Sequence, residues 1–286
     1  MDATALQAPT FGELLTDWTV YPSFLIGWAL FGAAYAAAVG PLRRRYGWAE
    51  RVQARHPLTF LAGLAVLFLA LQGPLHDLSD RYLFSAHMVQ HLVLTLAVPP
   101  LLLAGVPPWL AQAALRVGAM RRAVRALTRP LVAFALYNVV FTFWHVPAFY
   151  DLMMRHHDVH IAMHLSILAT AVVLWWPVAA PVAEPGRLGY GPQILYLFLL
   201  GIPMMALAAI ITLAEGRLYP WYGPAPRLWG LTPLQDEQLG GLIMWVPGSM
   251  ALWAAITVVF FRWSAQKEDR TSGSAVAGPA GAERRR

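Results

Sequence analysis

The chain has 286 residues, of which 58% are hydrophobic and 13% charged, with a net charge of +6 and no cysteine. Soluble domains carry roughly 45–50% apolar and about 25% charged residues, so most of this surface has lipid as its solvent. The missing cysteines exclude a disulfide framework, a thiolate metal site and a cysteine nucleophile. The positive charge sits in short loops between apolar runs, where it orients a membrane protein and gives no case for a nucleic-acid partner.

Residues 1–22 contain Asp2, Glu13 and Asp17 but no Lys or Arg, and so lack the cationic start of a secretory signal peptide. They read as an extracytoplasmic segment ahead of an uncleaved first anchor. About 20 apolar residues are needed to span a bilayer as a helix. That ruler finds candidates near 23–40, 58–75, 84–104, 131–150, 159–180, 190–213 and 239–261. The expected fold is an all-α integral membrane bundle of about seven transmembrane helices, one domain over residues 23–263.

On that topology one set of connections holds 17 of the 21 Lys and Arg residues and the other set 4. Basic loops stay cytoplasmic, which puts the N-terminus outside and the C-terminus in the cytoplasm. Trp109 to Leu127 interleaves apolar residues with Arg116, Arg121, Arg122 and Arg125, as an amphipathic helix on the inner leaflet does. A merely topogenic basic loop has the same composition. Residues 264–286 are polar and rich in small residues, and read as a disordered cytoplasmic tail.

The nine histidines separate sharply. His56 falls in the first inner loop, and His76, His87, His91, His145, His156, His157, His160 and His164 fall at outer helix ends or loops. His87 and His91 lie one turn apart on the third span, as do His160 and His164 on the fifth. Two such pairs facing each other supply a nitrogen ligand set for a metal ion, with His145 as a further candidate. Met88, Met153, Met154 and Met163 lie nearby, and thioether with imidazole favours Cu(I). Asp77 and Asp80, with Asp236 and Glu237, are carboxylates at the same depth that can orient ligating imidazoles. Singly, each of these has a plainer reading: an interfacial hydrogen-bonded histidine, or a methionine filling core. The many Trp and Tyr residues read as interfacial aromatic belts. Paired ionisable groups inside the span are the exception, because they are costly there and mark function.

The strings LQGPLHDLSDRYLFSAHMVQHLVLTLAVPPLLLAGVP, FWHVPAFYDLMM, VHIAMHLSILATAVVLWWPV and LGGLIMWVPG resemble the CtaG family of seven-helix cytochrome c oxidase assembly factors, from about Ser23 to Trp263. The resemblance implies a non-enzymatic, multi-pass protein of the bacterial cytoplasmic membrane. Its role would be to help copper reach a haem-copper oxidase, with membrane lipid and an oxidase subunit as partners. The family's histidines fall on His76, His87, His91, His145, His160 and His164. On this reading Cu(I) is held by a subset of these, with Met88 and Met163 as secondary ligands and Asp77 and Asp236 as orienting groups. An unrelated copper chaperone that shares the family's name depends on cysteine, which this chain lacks. Three other readings stay open: an intramembrane metal-dependent hydrolase, a haem-binding membrane protein, and a metal-free assembly scaffold. The sequence sets no oligomeric state.

Overall fold

The computed structural model describes residues 9–16 and 19–276, and every regular element among them is helical. A short α1 (Phe11–Thr16) is opened by a reciprocal cap, in which Thr10 N donates to Glu13 Oε2 at 2.7 Å and Glu13 N to Thr10 Oγ1 at 3.3 Å. The chain then laces onto the bundle, with Thr19 N donating to Asp77 Oδ2 at 2.9 Å and Gln72 Nε2 to Thr19 O at 2.7 Å.

The bundle comprises α2 (Pro22–Tyr46), α3 (Arg55–Leu71), α4 (Pro74–Arg81), α5 (Phe84–Gly105), α6 (Pro108–Leu115), α7 (Gly118–Leu127), α8 (Pro130–His145), α9 (Pro147–Arg155), α10 (His157–Ala179), α11 (Tyr190–Thr212) and α12 (Pro233–Val276). Proline occupies the first turn of α2, α4, α6, α8 and α9, where its missing N–H would have had no helical partner anyway. Among the described residues six spans are long and apolar enough to cross a membrane, counting α3 with α4 as one, and a seventh appears when α8 is taken with α7, bent from it by 73°.

The expected boundaries shift at three places. The fourth span ends at His145, not 150, because Val146 precedes Pro147 and is held extended (ψ 126°). The LHDLSD segment, expected as a loop, is the helix α4, set off from α3 by Gly73 at φ 104°, a left-handed value that a side chain would disfavour. The last helix continues to Val276, into residues 264–276 expected to belong to a disordered tail. SAQKED, residues 264–269, contains no helix breaker, and extending an existing helix avoids the cost of nucleation; beyond it the helix runs on through Gly273. Residues 277–286 lie outside the described residues. The expected amphipathic segment is helical but broken between α6 and α7 at Arg116 and Val117.

Helix α5 is the axis of the bundle, packed on α3, α4, α10 and α12, while α2 packs chiefly on α3. Lipid is as apolar as leucine, so close approach and interhelical hydrogen bonds hold these helices together. A Cβ on Gly105 would lie 2.6 Å from the Phe60 backbone nitrogen, and one on Gly241 2.7 Å from that of Thr212. Those glycines let α3 meet α5 and α11 meet α12. Tyr35 Oη donates to Gly105 O at 2.7 Å and Trp28 Nε1 to Leu64 O at 2.9 Å. Such bonds contribute only about 0.6 kcal/mol each inside a membrane, so the glycine contacts carry more of the packing. Ile26, Leu30, Leu69, Val139, Leu195 and Met250 stay exposed on the outside, as lipid-facing residues do.

Candidate functional site

The site begins at the N-terminus of α5. Its preceding residue, Leu83, has no capping side chain, so the first amides need acceptors from elsewhere. Asp236 supplies them from the start of α12, accepting from Phe84 N at 2.7 Å, Ser85 N at 3.1 Å and Ser85 Oγ at 2.5 Å. This carboxylate fixes the helix that carries His87 and His91, and its hydrogen bonds among the described residues go to Phe84 and Ser85, not to an imidazole.

One turn in, the Nε2 atoms of His87 and His91 stand 2.9 Å apart, with both side chains almost wholly buried. Beyond them α5 widens into a π-turn over Val93–Ala97, and Pro99 follows. Pro99 has no N–H for the carbonyl of Thr95, and that oxygen accepts from Trp175 Nε1 of α10 at 2.7 Å. Thr95 Oγ1 donates to His91 O at 2.7 Å. The irregular turn therefore ties α10 to α5 directly below the histidine pair, a common place for π-bulges.

Helix α10 brings His160 and His164, their rings stacked 4.6 Å apart, with His160 5.7 Å and His164 6.1 Å from the ring of His87. His145 ends α8 with Nδ1 2.7 Å from Phe141 O and its ring 5.4 Å from that of His91. The carbonyl can only accept, so Nδ1 carries the proton and Nε2 keeps its lone pair. His76 of α4 lies 6.0 Å from His160 and 5.9 Å from His164, ring to ring. Gln90 Nε2 donates to Ala70 O at 2.7 Å and is 2.9 Å from His76 Nδ1. That sets His76 Nδ1 as acceptor and leaves Nε2–H directed at Asp80 Oδ2, 3.5 Å away. Asp80 Oδ2 is also 3.7 Å from His160 Nδ1. All six histidines singled out by sequence thus converge at one end of the bundle.

The other expected members fall elsewhere. Asp77 binds the N-terminal segment through Thr19, and Asp80 takes the position beside the imidazoles. A helical reading of LHDLSD would have found it, because Asp80 is one turn from His76. Met88 and Met163 are buried in the apolar core, and the Cγ of Met88 would be 3.1 Å from a Cβ on Gly240 of α12. His156 and His157 are exposed, and His157 stacks on Tyr21 at 5.5 Å. His56 is at the opposite end, its Nδ1 3.1 Å from Ala104 O.

Sequence reasoning also missed a lid. The connection from α11 to α12 sends Tyr219 Oη to His145 O at 2.9 Å, Trp221 Nε1 to Asp80 O at 2.8 Å and Tyr222 Oη to Ser79 O at 2.6 Å. Tyr150 of α9 meets Tyr222 through their hydroxyls at 2.9 Å and packs on the ring of His87. Burial pushes the phenols of Tyr150 and Tyr222 well above the usual tyrosine range, so both stay protonated as hydrogen-bond donors. These aromatics cap helix-end carbonyls beside the histidines, where composition alone read interfacial belts.

On the lateral side a cavity of about 490 Å³ opens between α2, α3 and α10, lined by Phe24, Trp28 and Leu168 and floored by His76, His160 and His164.

Buried polar atoms are nearly always hydrogen-bonded. Here Nδ1 of His87 and His91, Nε2 of His145 and His160, and both nitrogens of His164 are buried with no partner among the described residues. Such a concentration of unsatisfied imidazole nitrogens fits a metal ion. One ligand atom each from Asp80, His87 and His160 lie within 4.8 Å of one another. The donors are imidazole nitrogen and carboxylate oxygen, a set suited to copper or zinc.

Among known proteins, the chain is 27% identical over 294 residues to an uncharacterised protein of Mycobacterium bovis and, at the same identity and length, to one of Mycobacterium tuberculosis, covering 94% of this chain and 43% of each relative. A third, from Mycobacterium leprae, is 27% identical over 223 residues, covering 68% of this chain and 33% of the relative. The chain thus spans less than half the length of the curated relatives it matches. No solved structure matches it. Residues 33–266 match the sequence model of one family along nearly the whole bundle, and the chain belongs to that family, the cytochrome c oxidase caa3 assembly factors.

Proposed function

We propose that this chain acts in the assembly of a haem-copper cytochrome c oxidase by holding a copper ion at the extracytoplasmic end of the bundle and handing it to an oxidase subunit within the bilayer. The observation that carries this reading is the convergence of six buried imidazoles, five of which keep at least one nitrogen with no protein partner among the described residues. His87, His91, His145, His160 and His164 would hold the ion, with His76 and Asp80 at the rim. Nitrogen and oxygen donors tolerate both Cu(I) and Cu(II), and a thioether contribution from Met88 or Met163 is not part of the proposal. The lateral cavity that reaches His160 and His164 supports exchange with a neighbour in the membrane. The role is one of binding and transfer, without a catalytic residue.

The test is copper retention. Protein purified in detergent is loaded with Cu(I) under reducing conditions, desalted and analysed for metal, beside a His87→Ala/His91→Ala variant. Copper kept by the wild type and lost by the variant supports the site. Equal retention, or none in either, removes the histidine site and leaves an assembly scaffold as the better account.

One observation favours a second reading. Asp80, His87 and His160 form a two-imidazole, one-carboxylate group, the donor set of many zinc hydrolases. Zinc-dependent turnover of lipid or peptide by the purified protein would move the assignment to a hydrolase.

A further inference from the structure

At the end of the bundle away from the histidines, a second cleft of about 320 Å³ lies between the α6–α7 break and the loop joining α10 to α11. Arg116, Arg121 and Arg125 line one side, and Glu184 and Pro185 the other. Arg121 and Arg125 are one turn apart on α7 and share a face. None of the three guanidinium groups has a hydrogen bond or ion pair among the described residues, so their donors are free for a ligand.

The wall opposite is held in place. Trp176 Nε1 donates to Pro185 O at 2.7 Å, and Gly186 sits at φ 92°, so close to the end of α7 that a Cβ there would be 2.5 Å from Thr128 Oγ1. This glycine lets the loop close on Thr128, the cap of α7. The cleft is thus a concavity between two anchored elements, with three positive charges facing one negative.

Its position decides the ligand class. Helix α7 turns 73° away from the spanning α8, and its exposed Met120 and Leu127 flank the arginines. A helix with basic and apolar faces at the end of a span lies at the headgroup level. We infer that the cleft formed by Arg116, Arg121 and Arg125 binds the phosphodiester headgroup of an anionic phospholipid, anchoring α6 and α7 to the leaflet. Guanidinium forks match phosphate oxygens in a bidentate manner, and basic pockets at membrane-span ends take such headgroups. The ligand's acyl chains would follow the apolar side of α7 into the bilayer.

The test is a titration of the full chain in detergent, followed by native mass spectrometry, with phosphatidylglycerol, phosphatidylcholine and inorganic phosphate as separate probes. Phosphatidylglycerol is expected to bind tightest. An Arg121→Gln/Arg125→Gln variant should lose about 25-fold in that affinity, from about fivefold per charge at an anionic headgroup layer. An Arg51→Gln/Arg55→Gln variant, which loses the same charge from the α2–α3 connection and the first residue of α3, should keep it. Equal loss in both variants means diffuse attraction and overturns the site, as does no preference over phosphatidylcholine. Displacement by inorganic phosphate at comparable concentration would show a soluble-anion site and also overturns the lipid assignment. If the double variant fails to fold, Glu184→Gln keeps the test open: removing the one carboxylate should tighten phosphatidylglycerol about fivefold, and unchanged affinity overturns the proposal.

Discussion

The two ends of the bundle start from the same motif, basic side chains one helical turn apart, and finish it in opposite ways. At the histidine end the pairs on α5 and α10 face inward, bury their rings within about 6 Å of one another and leave nitrogens without partners. At the other end Arg121 and Arg125 face outward from α7 and stay exposed. The difference follows from the groups. Imidazole can be buried neutral and offer a lone pair, whereas guanidinium keeps its charge and has only donors to offer. One end is therefore suited to a cation, the other to an anion.

The sharpest way to break the comparison is to pull the helices apart. Gly105→Ala places a Cβ against the Phe60 backbone and is expected to destabilise the protein by about 1–3 kcal/mol through overpacking. A lowered thermal midpoint in detergent, with copper still bound by the folded fraction, would show that the histidine end is assembled independently of the α3–α5 contact near the arginines. Next in size is Gln90→Leu, which removes the group that sets the tautomer of His76. Loss of such a supporting contact typically costs about 10–100-fold in metal affinity, measurable by competition with a copper chelator. Unchanged affinity would place His76 outside the ligand set.

Asp236→Ala comes third. It strips the cap from α5, for which about 0.5–2 kcal/mol of stability is expected, with a weaker copper affinity because His87 lies in the first turn it secures. The smallest effect belongs to Met88→Leu: this near-isosteric change costs under about 1.5 kcal/mol and should leave copper retention as in the wild type. A large loss of copper there would restore the thioether to the site.

Much of the site was legible because helical spacing turns sequence into geometry. His87 and His91, or His160 and His164, share a face wherever their helices sit, and the depth of each span places both pairs at one level. The carboxylates were not legible in the same way. Asp77 and Asp80 lie in one short segment, and only the helical form of α4, set off by Gly73, turns Asp80 toward His76 and His160 and Asp77 toward Thr19. Asp236 is remote in sequence from the α5 amides it caps. The tyrosines and tryptophan of the lid have the composition of any interfacial belt, and their hydroxyl and indole contacts cross from one loop to three other elements.

Hydrophobic run length, loop charge and helical periodicity are local properties, so the sequence by itself determined the membrane bundle, the gathering of histidines at one end and the basic segment at the other. Helix rotation and crossing are set by contacts between residues far apart in the chain, by glycines such as Gly105 and Gly241 and by freed carbonyls such as that of Thr95. Only the tertiary structure could therefore decide that the imidazoles converge and that Asp80 joins them.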